Sequence, residues 1–172
     1  MERMRACLAE SVLISRKGSR VVFAHDGLHD SLTRLAAPPY FYESLKREIS
    51  IATRSKSAIS VIRYLLEPMP MDAELTSSPI YDETVIAFAD LLSYSFRLED
   101  YKARLGEREF VVLIQGSEDL SLQISQRLIA LWAIEGRPDV GIGYSSVTYQ
   151  LGESALEVMN RLDSCELLRA TF

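Results

Sequence analysis

The residues best suited to chemistry lie in RLEDYKARLGEREFVVLI, residues 97 to 114. The stretch begins with an Arg-x-x-Asp pair, Arg97 and Asp100, and continues through a second charged cluster into an apolar run. A guanidinium presents a planar fork of hydrogen-bond donors, whereas a carboxylate only accepts. The pair therefore suits an anionic ligand that also carries hydrogen-bond donors. It equally fits an ordinary helix end, where Arg97 would stabilise the helix dipole by roughly 0.3–1 kcal/mol.

Other reactive residue types in the chain lack a supporting pattern. His25 and His29 are four residues apart with aspartates beside them, which makes a metal site conceivable, but Gly27 between them weakens the helix that such a pair needs. Solvent-facing or packing roles are therefore favoured for both. Ser60 and Ser125 have no recognisable His–Asp arrangement, and GIGYSS lacks the length and the Lys of a phosphate-binding loop.

Composition bounds the classes of protein to which the chain can belong. It has 172 residues, 48% hydrophobic and 25% charged, with a net charge of −5. We expect one soluble domain with no general affinity for nucleic acid. Cys7 and Cys165 show no metal or redox spacing, which favours free thiols in the cytoplasm. No apolar run approaches the roughly 18 residues of a membrane span, and we expect no membrane contact.

From residue 30 onward, periodicity predicts alternating helices and strands. Apolar residues at helical spacing predict helices over 40–54, 82–96, 119–134 and 153–169. Short apolar or β-branched runs predict strands over 58–66, 101–105, 109–114 and 139–146. This order predicts an α+β fold of ferredoxin-like or nucleotidyl-cyclase type, with helices packed on a largely antiparallel sheet. Residues 1–28 are interpreted as a linker or the tail of an upstream segment, either hairpin or helix, and residues 29–172 as the domain.

Several motifs, in this order and spacing, resemble the GGDEF domain of diguanylate cyclases. HDSLTRL, residues 29–35, is similar to the family's opening Asp-x-Leu-Thr-Gly-Leu, with Arg34 at the Gly position and Ala37-Pro38 in place of Asn-Arg. RLEDYKARLGEREF matches, without a gap, the family's Arg-x-x-Asp, its spacer and its five-residue signature. VGIGYS is similar to a later strand of the family.

The resemblance implies an enzyme that joins two GTP molecules into cyclic di-GMP with Mg²⁺ held by two carboxylates. Here the metal-binding positions hold Leu65 and Arg108. We therefore expect no catalysis and no bound Mg²⁺ or other cofactor. Of the remaining active-site positions, some have lost the family residue and others keep it: Pro70, Ala73 and Glu107 are replacements, and Asp82, Gly106, Glu109 and Phe110 are retained.

Two charged residues near these positions raise further hypotheses. Glu67 could supply a metal ligand in place of Leu65, but Pro68 predicts that the chain already turns away there. Arg108 could pair with Glu67, Glu107 or Glu109, or be an exposed turn residue. The exposed turn is the favoured interpretation.

The Arg-x-x-Asp segment, by contrast, keeps what the family uses at its inhibitory product site. There the Arg contacts phosphate and guanine, and the Asp accepts from a guanine edge. By the resemblance, Arg97 and Asp100 hold these positions, Arg127 completes the site from the next helix, and Arg104 is also retained. The resulting expectation is a catalytically inactive GGDEF domain that binds cyclic di-GMP and reports to a partner protein or adjoining domain.

Two alternatives stay open at this stage. One is a ligand-free structural, dimerisation or protein-interaction module, which would include a homodimer. The other is an allosteric module that binds GTP through Asp82.

Overall fold

A five-stranded antiparallel sheet carries four helices in the part of the chain that the computed structural model describes, residues 27–68, 79–135 and 140–169. In chain order the elements are α1 (Pro38–Ser55), β1 (Ile59–Pro68), α2 (Pro79–Ser95), β2 (Tyr101–Arg104), β3 (Glu109–Gln115), α3 (Glu118–Glu135), β4 (Val140–Thr148), α4 (Ala155–Ser164) and β5 (Leu168–Arg169). The strands lie side by side in the order β2-β3-β1-β4-β5, with every pair antiparallel. The predicted α+β class is confirmed.

Alternating residues of the central strand β1 face two separate cores. Ile62, Tyr64 and Leu66 pack among residues of α2 and α3, and Ile59 and Val61 pack among residues of α1 and α4. This follows from the period of two in a strand, which sends successive side chains to opposite faces. Three aromatic residues are buried on the α2–α3 side: Phe88, Phe96 and Trp132.

Helix α1 begins earlier than its apolar pattern predicts. Pro38 occupies the first helical position, where its missing N–H leaves no helical hydrogen bond unmade. Ala37 is the N-cap and contributes no side-chain hydrogen bond. The helix ends at Ser55, and Lys56, the C-cap, takes a left-handed conformation with φ 56°.

The β2–β3 hairpin separates the Arg-x-x-Asp turn, residues 97–100, from the signature turn, residues 105–108. Tyr101 pairs with Leu113 at one end, and Arg104 pairs with Phe110 at the other. The Arg97–Asp100 turn precedes the first end, and residues 105–108 form the turn at the second. Since a strand rises about 3.3 Å per residue, the two ends lie roughly 10 Å apart. The hairpin therefore places the Arg97–Asp100 turn and the signature turn at opposite ends.

Two of the predicted boundaries are wrong. Strand β1 does not turn away at Pro68 but continues through it, with Pro68 opposite Val140. At Pro68 strand β1 pairs only with β4, because its pairing with β3 ends at Leu65, and proline is tolerated at such an edge. The last helix ends at Ser164 instead of 169, and Leu168–Arg169 add a fifth strand beside β4.

Some predictions fall outside the described residues. The linker interpretation of residues 1–28 and the domain boundary stay predictions, and Pro70 and Ala73 also lie outside. Among the helices that are described, none combines the length and the apolarity needed to cross a bilayer.

Candidate functional site

The Arg-x-x-Asp segment folds into a turn closed by its own two ends. The backbone N–H of Arg97 donates to Oδ2 of Asp100 at 2.8 Å, and the N–H of Asp100 donates to the Arg97 carbonyl at 3.2 Å. Lys102 Nζ also donates to that carbonyl. The Arg97 guanidinium remains 76% exposed, and its ion pair with Glu99 is long, at 4.0 Å. The turn is thus held through its backbone while the cationic group faces solvent.

Arg127 of α3 lies on the same side of the sheet as this turn. Its Nη2 donates to the carbonyl of Ser95, at the end of α2, at 3.1 Å. Arg97, Asp100 and Arg127 line one cleft of about 220 Å³, called the arginine cleft here. Its other lining residues come from the end of α2, the end of β3 and the start of α3: Ser95, Phe96, Ile114, Gln115, Leu120 and Ile124. The structure brings together three of the four residues predicted to bind the ligand.

Arg104, the fourth, belongs to a different structural unit. Its guanidinium lies 3.3 Å from Oδ1 of Asp30 and donates to the carbonyls of Gly106 and Glu107 at 3.0 and 2.9 Å. The side chain is only 14% exposed. It therefore ties the opening motif to the signature turn, at the end of β2 farther from Asp100. Arg104 does not line the cleft with Arg97, and its predicted part in ligand binding stays a prediction.

Asp30 anchors that unit through the opening motif. Its Oδ1 accepts from both the backbone N–H and the hydroxyl of Thr33, at 2.8 and 2.7 Å. Burial acts to raise the pKa of Asp30, but the Thr33 hydrogen bonds and the Arg104 charge outweigh it and leave the pKa lowered. Arg34, at the family's Gly position, has φ 63°, a conformation that glycine adopts without strain.

The electrostatic environment of Asp100 differs from that of Asp30. Burial raises the pKa of Asp100, and the hydrogen bond from Arg97 and the charge of Lys102 only partly offset that effect. The carboxylate is therefore less stable in its charged form than an exposed one. A ligand that donates hydrogen bonds to it would stabilise that form.

At the other end of the hairpin, β1 and the signature come together in register. Leu65 lies opposite Glu109, and the N–H of Leu66 donates to the Arg108 carbonyl at 3.0 Å. The Glu109 carboxyl is half-buried. Burial raises its pKa, the charge of Arg63 lowers it, and the net shift is upward. The residues at the two metal positions of the family are thus an alkyl side chain and a cation.

Glu67, two residues after Leu65 on β1, forms an ion pair with the last strand. Its two oxygens accept from Nε and Nη2 of Arg169 at 2.8 and 3.0 Å. Both side chains pass over β4 at Gly143, where an added Cβ would lie 3.6 Å from the Glu67 carboxyl carbon. The hydrogen bonds from Arg169 lower the pKa of Glu67. The carboxylate is already neutralised by a cation of the same chain.

Arg108 makes none of the three ion pairs considered for it. Within the described part of the chain, no ion pair joins it to Glu67, Glu107 or Glu109, although its charge helps to lower the pKa of Glu67. Arg108 and Glu107 are exposed in the turn with Gly106. The favoured interpretation, an exposed turn residue, agrees with this geometry.

The other retained positions occupy ordinary places. Phe110 is fully buried, with its ring centroid 5.0 Å from that of Phe88. Asp82 is exposed in the first turn of α2. Of the two histidines, His29 lies 6.3 Å from the Tyr40 ring, and His25 is outside the described residues. No three metal-binding side chains cluster within 27–68, 79–135 and 140–169.

Sequence reasoning missed two residues that the structure places at these sites, and a third on the apolar face of α1. Gln115 lines the arginine cleft from the end of β3, and Arg169 reaches Glu67 from β5. Neither had a local signal, since both depend on strand pairing. Glu48 is buried on the apolar face of α1. Its position three residues after Leu45 did carry a signal, because a charged residue there interrupts a helical apolar stripe.

Comparison of the chain with models of protein families shows which family it belongs to. The model of the family described as diguanylate cyclase, GGDEF domain, matches residues 27–166, most of the chain. The chain belongs to the GGDEF family. Diguanylate cyclase DgcS of Shewanella oneidensis is 27% identical to it over 103 residues, which are 60% of this chain and 35% of that protein. This GGDEF domain thus spans about a third of that relative's length.

Solved GGDEF domains have the same fold. The GGDEF domain of DgcB from Caulobacter crescentus, in complex with c-di-GMP, superposes with a TM-score of 0.75 at 18% identity, covering 86% of this chain and 89% of that one. The diguanylate cyclase SiaD of Pseudomonas aeruginosa, in complex with its activator SiaC, gives a TM-score of 0.71 at 17% identity, covering 80% and 55%. At such identities the likeness shows the fold alone.

Proposed function

We propose that this GGDEF domain makes no cyclic di-GMP and instead binds it in the arginine cleft, as a cytoplasmic receptor that reports to a protein partner or adjoining domain. The observation that carries the proposal is the convergence of Arg97, Asp100 and Arg127 on one cleft. Two guanidinium groups suit the phosphates of the ligand, and the Asp100 carboxylate suits the donor edge of a guanine.

The state of each side chain supports binding. The Arg97 guanidinium is exposed, and its ion pair with Glu99 is long, so turning toward a phosphate would break only a weak interaction. Arg127 is held in place by the Ser95 carbonyl, which limits the entropy lost on binding. Asp100 uses one oxygen on the Arg97 N–H, and a carboxylate has a second oxygen that can accept.

The size of the cleft limits how much of the ligand it encloses. Its volume of about 220 Å³ is below the roughly 300–1,000 Å³ of pockets that enclose drug-sized ligands. One guanine with its adjoining phosphate would lie in the cleft, and the rest of the ligand would lie outside it. Arg97, at the rim, would then contact both parts.

Loss of catalysis is supported by the residues at the other end of the hairpin. Mg²⁺ requires oxygen ligands, and Leu65 and Arg108 supply none. Glu67, the nearest carboxylate along β1, is engaged by Arg169. Arg108 would in addition repel a divalent cation.

Calorimetric titration of the purified chain with cyclic di-GMP tests the binding. We expect saturable heat from the wild type, binding at least tenfold weaker in Arg97→Ala and Arg127→Ala, and unchanged binding in Arg54→Ala. Arg54 is an exposed arginine in the last turn of α1 and serves as the matched control. Absence of heat with the wild type, or equal binding by Arg97→Ala, contradicts the receptor and favours a structural module.

A second assay tests the loss of catalysis separately. The chain is incubated with GTP and Mg²⁺, and the nucleotides are separated by chromatography. We expect no cyclic di-GMP above a protein-free control. Accumulation of product that scales with protein concentration would show an active cyclase.

A further inference from the structure

A second cleft lies on the opposite side of the same turn. It has a volume of about 260 Å³ and shares Ile114 and Gln115 with the arginine cleft. Its acidic residues are Glu48 from α1 and Glu99 from the turn, and we call it the acidic cleft. Its walls are largely apolar, and Leu98, which is 98% exposed, stands at its edge. An acidic floor with apolar walls suits a cation on an alkyl stem.

Glu48 is the residue that distinguishes this cleft from an ordinary surface groove. It is only 9% exposed, on the face of α1 that also buries Leu45 and Ile49. No residue within 27–68, 79–135 or 140–169 donates a hydrogen bond to its carboxylate or forms an ion pair with it. The Glu48 carboxylate oxygens are not among the fully buried polar atoms of the described residues, so the remaining exposure of this residue lies at its charged end, inside the cleft. An apolar residue at this position would serve packing better.

The nearby cations of the chain are engaged elsewhere. Arg47, next to Glu48, donates to the Tyr101 hydroxyl at 3.0 Å, with its guanidinium carbon 5.7 Å from the centre of that ring. Lys46 pairs with Glu43 at 2.8 Å on the exposed side of α1. Glu99 has a long ion pair with Arg97, at 4.0 Å, with both side chains largely exposed. Glu48 is therefore the carboxylate of the acidic cleft that has no partner among the described residues.

We propose that the acidic cleft binds an arginine or lysine side chain presented by a partner polypeptide. The cation would lie against the Glu48 carboxylate, with Glu99 at the rim, and its alkyl stem would pack on the apolar wall. Leu98, at the edge, would contact an apolar neighbour in the partner segment. The charge complementarity and the burial of Glu48 carry this inference, which does not depend on nucleotide binding in the arginine cleft.

The test uses two short peptides and nuclear magnetic resonance of the isotope-labelled chain without nucleotide. One peptide is acetyl-Leu-Arg-Leu-amide, and the other has citrulline, the neutral isostere, in place of Arg. We expect the Arg peptide to shift the amide signals of Glu48, Leu98 and Tyr101 in a saturable way, and the citrulline peptide to bind about tenfold more weakly or not at all. Glu48→Gln should weaken binding of the Arg peptide about tenfold. Glu43→Gln, the matched control on the same helix, should leave it unchanged.

Thermal unfolding separates a ligand site from a structural role of Glu48. Because the carboxylate has no described partner, Glu48→Gln should not lower the melting temperature. A clear fall in that temperature would show that Glu48 stabilises the fold through a partner of its own, and would overturn the proposal. Equal binding of the two peptides, or full binding by Glu48→Gln, would overturn it too. Binding of free arginine as tight as that of the peptide would reject the polypeptide as the source of the cation.

Discussion

The Asp100 carboxylate accepts a hydrogen bond from the backbone N–H of Arg97 at 2.8 Å, so the two residues of the Arg-x-x-Asp pair are bonded to each other before any ligand arrives. The bond uses the backbone of Arg97 and leaves its guanidinium exposed. Asp100 thus shapes the turn that presents Arg97, and the motif functions as one unit. Substituting Asp100 should affect both the turn and the ligand.

Acidification should weaken binding of cyclic di-GMP if Asp100 accepts from the ligand. Burial raises the pKa of Asp100 above its ordinary value of 3.8. The group is charged above that raised pKa, and as pH falls through it the carboxylate gains a proton and stops accepting at that oxygen. Titrations between about pH 7 and about pH 4.5 should therefore show declining affinity in the wild type. Asp100→Asn should bind more weakly at every pH and lose most of this pH dependence. An equally steep decline in Asp100→Asn would assign the effect to another group.

Removing Arg104 should reduce stability without removing the ligand site. Arg104→Ala loses the ion pair with Asp30 and two hydrogen bonds to the signature turn. Because the side chain is largely buried, we expect the free energy of unfolding to fall by about 1.5–3 kcal/mol. Denaturant titration measures that loss, with Arg54→Ala as the control for an exposed arginine. Affinity for cyclic di-GMP, measured on the folded variant, should stay within about twofold of the wild type. A tenfold loss of affinity would show that Arg104 contributes to binding of cyclic di-GMP.

How well the sequence predicts each part of this fold depends on how far apart along the chain the interacting residues lie. Helix α1 and the β2–β3 hairpin were predictable because their apolar periodicity is local. Strand β5 was not, because it has two residues and forms only by pairing with β4. The separation of Arg104 from Arg97 follows from the hairpin register, which places them at opposite ends of β2. The role of Glu48 depends on how α1 packs beside β3, which a single sequence does not specify.

The ion pair between Glu67 and Arg169 should make stability depend on pH in acid. Hydrogen bonds from Arg169 lower the pKa of Glu67 below its ordinary value of 4.5. A lowered carboxyl pKa contributes stability that is present above the unfolded value and is lost as pH falls through the folded one. The melting temperature of Arg169→Gln should lie below that of the wild type near neutral pH, and the difference should shrink as pH falls below about 4.5. Glu67→Gln should remove the same pH-dependent difference. A constant difference at all pH values would assign the effect of Arg169 to packing.

Restoring a capping side chain to α1 should stabilise the domain. Ala37 occupies the N-cap with extended backbone, φ −77° and ψ 159°, and no side chain accepts from the first turn. That turn also contains no acidic residue. Since Ala37 already has the backbone conformation of a capping residue, Ala37→Asp should raise the free energy of unfolding by roughly 0.5–2 kcal/mol, through the helix dipole and through a hydrogen bond from the N–H of Tyr40, the third helical residue after Pro38 and Pro39. Ala37→Asn, which lacks the charge, should give a smaller gain, and the difference between the two should diminish in high salt. Denaturant unfolding of the three proteins measures this. A loss of stability in both variants would show that the contacts of the half-buried Ala37 methyl outweigh the cap.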